Sequence, residues 1–130
     1  MNQAIIAAGS NIKPQYHIEQ ARIQLNEAKM LLAESQFIQT TPIGNTDQPD
    51  FINGAFLIET RFDARQLKAW LKALEDNLGR VRGADKFGPR TIDLDIVVWN
   101  KEIVDDEVYE RDFLKNSVIE LCPELAPLMG

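Results

Sequence analysis

The apolar positions of this chain change their spacing from stretch to stretch, and the spacing predicts the elements. Residues 4–8 (AIIAA) form a short continuous apolar run, as in a central strand, and Gly9-Ser10-Asn11 end it with turn formers. Beyond Pro14, apolar side chains at Ile18, Ala21, Leu25, Ala28 and Leu32 recur at intervals of three and four. That spacing predicts a helix with one apolar stripe, its other face carrying Glu19, Arg22, Asn26 and Lys29. Residues 35–41 read as a second strand, with Phe37 among polar neighbours and Pro42 closing it. A polar loop, 43–50, leads to a third strand over 51–60. Gly54 inside that strand signals a bulge or a close approach to the backbone. Asp63 can N-cap a second helix whose apolar face is Leu67, Trp70, Leu71, Leu74 and Leu78, with Gly79 suited to its end. A fourth strand runs over 91–99, placing Ile92, Leu94, Ile96 and Val98 on one face and Asp93 and Asp95 on the other. Residues 112–120 predict a last helix, with Phe113, Ser117 and Glu120 spaced along one side, before an irregular end at 123–127.

The resulting order, strand-helix-strand-strand-helix-strand, predicts one α+β domain over residues 1–130 with a ferredoxin-like βαββαβ core. The sheet is expected to be mostly antiparallel, with helices on one face and the aspartates on the open face.

Asp93 and Asp95 project from one strand face with Cα atoms roughly 7 Å apart. Two carboxylates so close repel unless a cation lies between them, and oxygen ligands suit Mg²⁺ or Mn²⁺. Such a pair also serves simply to keep a sheet face wet, and both readings stand at this point. Arg80, Arg82, Lys86 and Arg90 fall within eleven residues just upstream, opposed only by Asp85. A cluster of this kind is either a solvated basic loop or a phosphate-binding segment, arginine being the fork-shaped phosphate donor. Beside two carboxylates it favours phosphoryl-type transfer from a nucleotide–Mg²⁺ complex. A metal-dependent phosphatase or nuclease fits the same residues. Neither a G-x-x-x-x-G-K-[ST] phosphate loop nor a G-x-S-x-G nucleophile motif occurs.

Composition narrows the field. A formal net charge of −6 speaks against general nucleic-acid or anionic-membrane binding. The single cysteine, Cys122, excludes an intramolecular disulfide and a thiolate zinc site, and is expected to be a packed small side chain. His17, the one histidine, is expected at a surface position of the first helix. No basic and apolar leader and no membrane-length apolar run is visible, which predicts a cytoplasmic protein. Asn53 either reads the edge of a flat ligand or satisfies backbone, Glu75 faces either the site or solvent, and the 43–50 loop is either functional or a plain connection.

Residues 87–96 (FGPRTIDLDI) resemble the signature of the 6-hydroxymethyl-7,8-dihydropterin pyrophosphokinase family. The resemblance continues in residues 8–11, in 40–44 with 47–53, in 78–82, and in Arg111, Phe113, Glu120 and 123–125. It implies attack of the pterin hydroxymethyl oxygen on the β-phosphorus of ATP, giving pterin diphosphate and AMP in folate biosynthesis. By similarity Asp93 and Asp95 hold two Mg²⁺ ions, and Arg82 and Arg90 act with them in catalysis. Glu75, Arg80, Arg82, Arg90, Ile96 and Arg111 serve ATP. Thr40, Thr41, Ile43, Asn53 and Asp93 read the pterin between the rings of Phe51 and Phe113. Small molecules are then the partners of a monomer or weak homodimer. The chain departs from the family pattern in lacking a Pro-His segment between Asp95 and Arg111, in ending soon after residue 125, and in carrying Phe87 for tryptophan and Phe51 for tyrosine. These departures leave two alternatives: a pterin- or nucleotide-binding paralogue without turnover, and the same scaffold acting on a related substrate.

Overall fold

The computed structural model describes residues 1–44, 46–80 and 91–129. Arg82, Lys86, Phe87 and Arg90 of the basic segment lie outside the described residues. The elements are β1 (Asn2–Ser10), α1 (Pro14–Glu27), β2 (Leu31–Glu34), β3 (Ile38–Thr40), β4 (Phe51–Thr60) and α2 (Ala64–Asn77). After these come β5 (Asp93–Trp99), β6 (Glu102–Ile103), α3 (Glu107–Glu110), α4 (Asp112–Leu121) and a 3₁₀ helix, Pro123–Met129. The described strands form one sheet in the order β2-β4-β1-β5-β6, with β3 also on β4, and every pairing is antiparallel. This is the expected α+β, ferredoxin-like arrangement, with β1 central.

The first core lies under α1 and α2. Ile18, Ala21 and Leu25 of α1 and Leu67, Leu71 and Leu74 of α2 close over Ile6, Ala8, Phe56, Ile58, Ile92 and Leu94. Asp63 caps α2 with a reciprocal capping box, its side chain accepting from Gln66 N at 2.8 Å while Gln66 Oε1 accepts from Asp63 N at 2.9 Å. Helix α1 stops short of the predicted stripe. Met30 N bonds Leu25 O and Lys29 N bonds Asn26 O, with Lys29 at φ 59, so the chain reverses in a Schellman motif. Ala28 and Leu32 are therefore exposed, and Leu31 pairs with Ile58 in the sheet. Here sheet pairing outweighs the helical spacing.

The predicted second strand, 35–41, is strand only as β3, and β2 lies ahead of it in a stretch not predicted as a strand. Between them the Ser35 hydroxyl accepts from Ala55 N at 2.8 Å, replacing a ladder bond, and Phe37 turns down onto β4. A Cβ at Gly54 would stand 2.5 Å from a Phe37 ring carbon. Gly54 is thus a close approach rather than a bulge, and the β1–β4 register runs unbroken from Asn2↔Thr60 to Ser10↔Ile52.

Three further expectations are corrected. Helices cover both faces, not one: α3, α4 and the 3₁₀ helix bury Val108, Leu114, Val118, Cys122, Leu125 and Met129 against Ile5, Ala55, Val97 and Val98. Val98 does not continue the face of Ile92 and Leu94. The β1–β5 register slips between Ile5↔Val98 and Ile6↔Ile96, so Val97 is an extra residue and Val97 and Val98 both enter the second core. His17 is buried rather than on the surface, its Nδ1 2.5 Å from Ile12 O, which ties the β1–α1 turn to the helix. Cys122 is buried, as expected. Among the described residues no helix is long and apolar enough to cross a membrane.

Gly54→Ala is expected to lower stability by about 1–3 kcal/mol, because the Phe37 ring must leave its place on β4. Urea denaturation measures it, and a loss below a few tenths of a kcal/mol would refute the close-packing explanation.

Candidate active site

The strand register builds the floor of a pocket. Asn53, Gly9 and Asp93 form one row across β4, β1 and β5, and Ala55, Ala7 and Asp95 form the next. Residues opposite one another in antiparallel strands share a face, so the small residues of β1 leave a shallow channel between Asn53 and the aspartates. A Cβ at Gly9 would collide with Asn53 Oδ1, so the amide lies directly over the glycine. Helix α4 covers the neighbouring part of this face and leaves the Gly9 end open.

The walls come from both directions. Thr40, Thr41, Ile43 and Phe51 line one side, and Glu107, Arg111, Phe113 and Leu114 line the other. Asn53 Nδ2 donates to Thr40 Oγ1, a bond from strand to strand rather than to backbone. Asn11 holds the loop before β4: its Nδ2 donates to Gln48 Oε1 at 2.7 Å and to Pro49 O at 3.0 Å, with Asn11 and Gln48 both buried. Arg111 joins α3 to α4 with extended backbone (φ −116, ψ 114), which brings it and Phe113 to the rim. Glu107 Oε2 lies 3.4 Å from Arg111 Nε.

Behind the aspartates stands a charged network rooted in α2. Strand β6 pairs only with Val98 and Trp99, so among the described residues no strand covers the outer edge of β5 from Ile92 to Ile96. Side chains of α2 and the residues after it take that place. Glu75 Oε2 accepts from Leu94 N at 2.7 Å, Lys72 Nζ donates to Leu94 O at 3.1 Å, and Arg80 NH1 donates to Ile92 O at 3.3 Å. Glu75 is fully buried, and its carboxylate also pairs with Lys72 at 3.0 Å and Arg80 at 3.3 Å. Lys72 reaches on to Asp95 at 3.1 Å and Arg80 to Asp93 at 2.8 Å. The helix end makes this reach possible. Gly79 at φ 88 reverses the chain, Gly79 N bonding Asp76 O and Arg80 N bonding Glu75 O.

Burial at the pocket floor and the charge of Asp93 push the Asp95 carboxyl up to about 6, and the Lys72 ammonium offsets part of that rise. No group of three His, Cys, Asp or Glu residues is placed to hold a metal among the described residues. The aspartate pair alone nevertheless suits Mg²⁺, which binds through one or two carboxylates and completes its shell with water and substrate phosphate.

Of the residues singled out from sequence, Thr40, Thr41, Ile43, Phe51, Asn53, Asp93, Asp95, Arg111 and Phe113 converge on this pocket. Glu75 and Arg80 stand behind it. Ile96 lies on the other face of β5, packed against the first core, and does not line the pocket. Arg82 and Arg90 lie outside the described residues. Sequence reasoning missed Lys72 and Glu107. The readable signal for Glu107 was an acidic residue four positions before Arg111, whereas Lys72, off the apolar stripe of α2, carried none.

A ferredoxin-like sheet brings two carboxylates together with aromatic, amide and hydroxyl side chains in one pocket of small-molecule size. The family is the 7,8-dihydro-6-hydroxymethylpterin-pyrophosphokinases: the family model matches residues 5–123, and the chain belongs to it. The 2-amino-4-hydroxy-6-hydroxymethyldihydropteridine pyrophosphokinase of Haemophilus influenzae is 32% identical, with 96% of this chain and 84% of the relative covered. The enzyme of the same name from Bacillus subtilis is 34% identical over 95% of this chain and 80% of its own length. The mitochondrial folate synthesis bifunctional protein of Pisum sativum is 30% identical over 92% of this chain, which spans 25% of that larger protein.

A carboxyl whose pKa rises on folding binds its proton more tightly in the native state. The stability it contributes is present below its ordinary value of 3.8 and is lost as pH rises through about 6. In metal-free buffer Asp95→Asn is therefore expected to melt above the wild type at pH 7, with the gap closing by pH 3.5. Thermal melts at the two pH values check this, and a variant that melts lower at pH 7 contradicts it.

Proposed function

We propose that this chain transfers pyrophosphate from ATP to the hydroxymethyl group of 6-hydroxymethyl-7,8-dihydropterin, releasing AMP, as a step of folate biosynthesis. The observation that carries the reading is the placement of the two aspartates opposite Asn53 and Phe51 in one pocket, in a chain matched to the family over residues 5–123.

In this reading the pterin lies over the Gly9 channel. Phe51 and Phe113 offer it aromatic faces, while Asn53 and the hydroxyls of Thr40 and Thr41 meet its polar edge. Ile43 covers it from the loop. Arg111, with Arg80, Arg82 and Arg90, supplies positive charge to the ATP phosphates. Asp93 and Asp95 hold two Mg²⁺ ions, and Asp93 also borders the pterin. Bound there, the ions would neutralise charge on the phosphates and align the hydroxymethyl oxygen with the β-phosphorus. Glu75 acts from behind by fixing Arg80 and Lys72. Residues 1–130 act as one domain, monomeric or weakly dimeric, in the cytoplasm.

The connection from Asp95 to Arg111 bears on turnover. Asn100 and Lys101, both at positive φ, make a two-residue hairpin turn into β6, and the single-turn α3 follows. Arg111 reaches the pocket rim by this short route without a Pro-His segment. We infer that Arg111 and Glu107 at that rim carry the nucleotide contacts needed for activity.

The test is AMP release from ATP and Mg²⁺ with and without the pterin. Pterin-dependent AMP is expected, and Asp95→Ala is expected to lower its rate about 100-fold or more, a few kcal/mol of transition-state stabilisation. Full activity in that variant would sink the metal assignment. Pterin binding with no AMP from the wild type would identify a binding paralogue instead.

A further inference from the structure

We propose that Lys72 is a built-in counter-cation of the aspartate pair, occupying Asp95 in the metal-free protein and setting how tightly the pair binds a divalent cation. The inference rests on the reading above that Asp93 and Asp95 hold such cations.

The geometry of the ammonium carries it. Lys72 Nζ has three acceptors, Glu75 Oε2 at 3.0 Å, Leu94 O at 3.1 Å and Asp95 Oδ1 at 3.1 Å. An ammonium has three N–H donors, so all three are used. Two of these acceptors do not depend on Asp95: one is the main chain of β5 and the other is a fully buried carboxylate. Lys72 is therefore seated whether or not Asp95 stays with it. When a cation takes the Asp95 carboxylate, the ammonium loses one bond and keeps its place.

The consequence is electrostatic. A fixed unit positive charge about 5 Å from a dication weakens its binding by roughly 5- to 20-fold, between the screened and unscreened limits in water. Glu75 offsets part of the Lys72 charge, but its carboxylate is shared with Arg80. In return the protein gains a pocket whose two carboxylates are each matched by a cation before any metal arrives, Arg80 on Asp93 and Lys72 on Asp95. Lys72 is thus a positioning residue: it orients Asp95 and competes for it.

The experiment is Mn²⁺ binding to the nucleotide-free protein, read from the electron paramagnetic resonance signal of the free ion. It compares wild type, Lys72→Gln, Lys72→Arg and Asp95→Asn, each checked for fold by circular dichroism. Glutamine keeps a donor for Leu94 O and Glu75 but carries no charge. Lys72→Gln is expected to bind Mn²⁺ about 5- to 20-fold more tightly, Lys72→Arg to stay near wild type, and Asp95→Asn to lose most of the binding. Unchanged or weaker binding by Lys72→Gln, with Asp95→Asn still impaired, overturns the inference and leaves the metal reading standing. Binding that is absent from the wild type, or indifferent to Asp95, overturns both. Should Lys72→Gln fail to fold, the ¹⁵Nζ resonance of Lys72 in the wild type decides: it is expected to shift as Mg²⁺ saturates the site, and an unmoved resonance overturns the inference.

Discussion

A carboxylate buried against the bare edge of a strand is the constraint on which this structure turns. Strand β5 must carry both aspartates into the pocket, yet its outer edge from Ile92 to Ile96 has no strand beside it among the described residues. Unpaired backbone groups at that depth would be costly. Glu75 solves the first half of the problem by accepting from Leu94 N, and it creates another, a buried negative charge. Lys72 and Arg80 answer that charge, and their remaining donors close the Leu94 and Ile92 carbonyls. The same two cations then extend to Asp95 and Asp93. Strand edge, helix end and aspartate pair are thus one connected unit. Removing Glu75, Lys72 or Arg80 would leave a charge or a backbone group without its partner, the situation in which buried ion pairs become expensive.

The opposite wall depends on size rather than charge. Gly9 and Ala7 sit mid-sheet between the aspartates on β5 and Asn53 and Ala55 on β4. With no bulk on β1, the pocket floor is backbone. The helices of the second core then decide how much of that floor stays open. Leu114 and Val118 seal the Ile5 and Val97 end, and the Val97 bulge gives them a continuous apolar surface to seal against. Arg111 and Phe113 stand at the boundary between sealed core and open site. The hairpin at Asn100-Lys101 brings them there after only a short stretch of chain.

Such an arrangement suits a reaction in which both substrates are small and one is heavily charged. The aromatic side of the pocket and the charged side are built from different elements, β3 and β4 with Phe113 of α4 for the first and α2 with β5 for the second, and β1 lies between Asn53 and the aspartates. Asn11 adds the loop before β4 to the same frame through Gln48 and Pro49. Gln48 and Pro49 are thereby held in place, and Ile43 lies in the pocket wall.

Local chemistry carried much of this into the sequence. The capping box at Asp63, the unbroken third strand and the glycine after α2 obey short-range rules, and the strand-helix order then leaves few arrangements of the sheet. The D-x-D pair was legible because strand alternation alone puts both carboxylates on one face, and the aromatic and amide residues of the pocket were legible through the family's motif. Other features were set by partners distant in the chain. Whether Ala28 and Leu32 prolonged a helix was decided by the pairing of Leu31 with Ile58, and Val98 changed faces because the register with β1 slipped. Gly54 could be read as a bulge or a close approach until Phe37 was seen to lie on it. Glu75 could face site or solvent, and Lys72 was indistinguishable from a surface lysine, because only the tertiary fold leaves the edge of β5 bare and brings α2 alongside it. Sequence determines which groups are available and which face each takes within its own element; the long-range packing decides which of them share a low-dielectric space, and there a charge must find its partner.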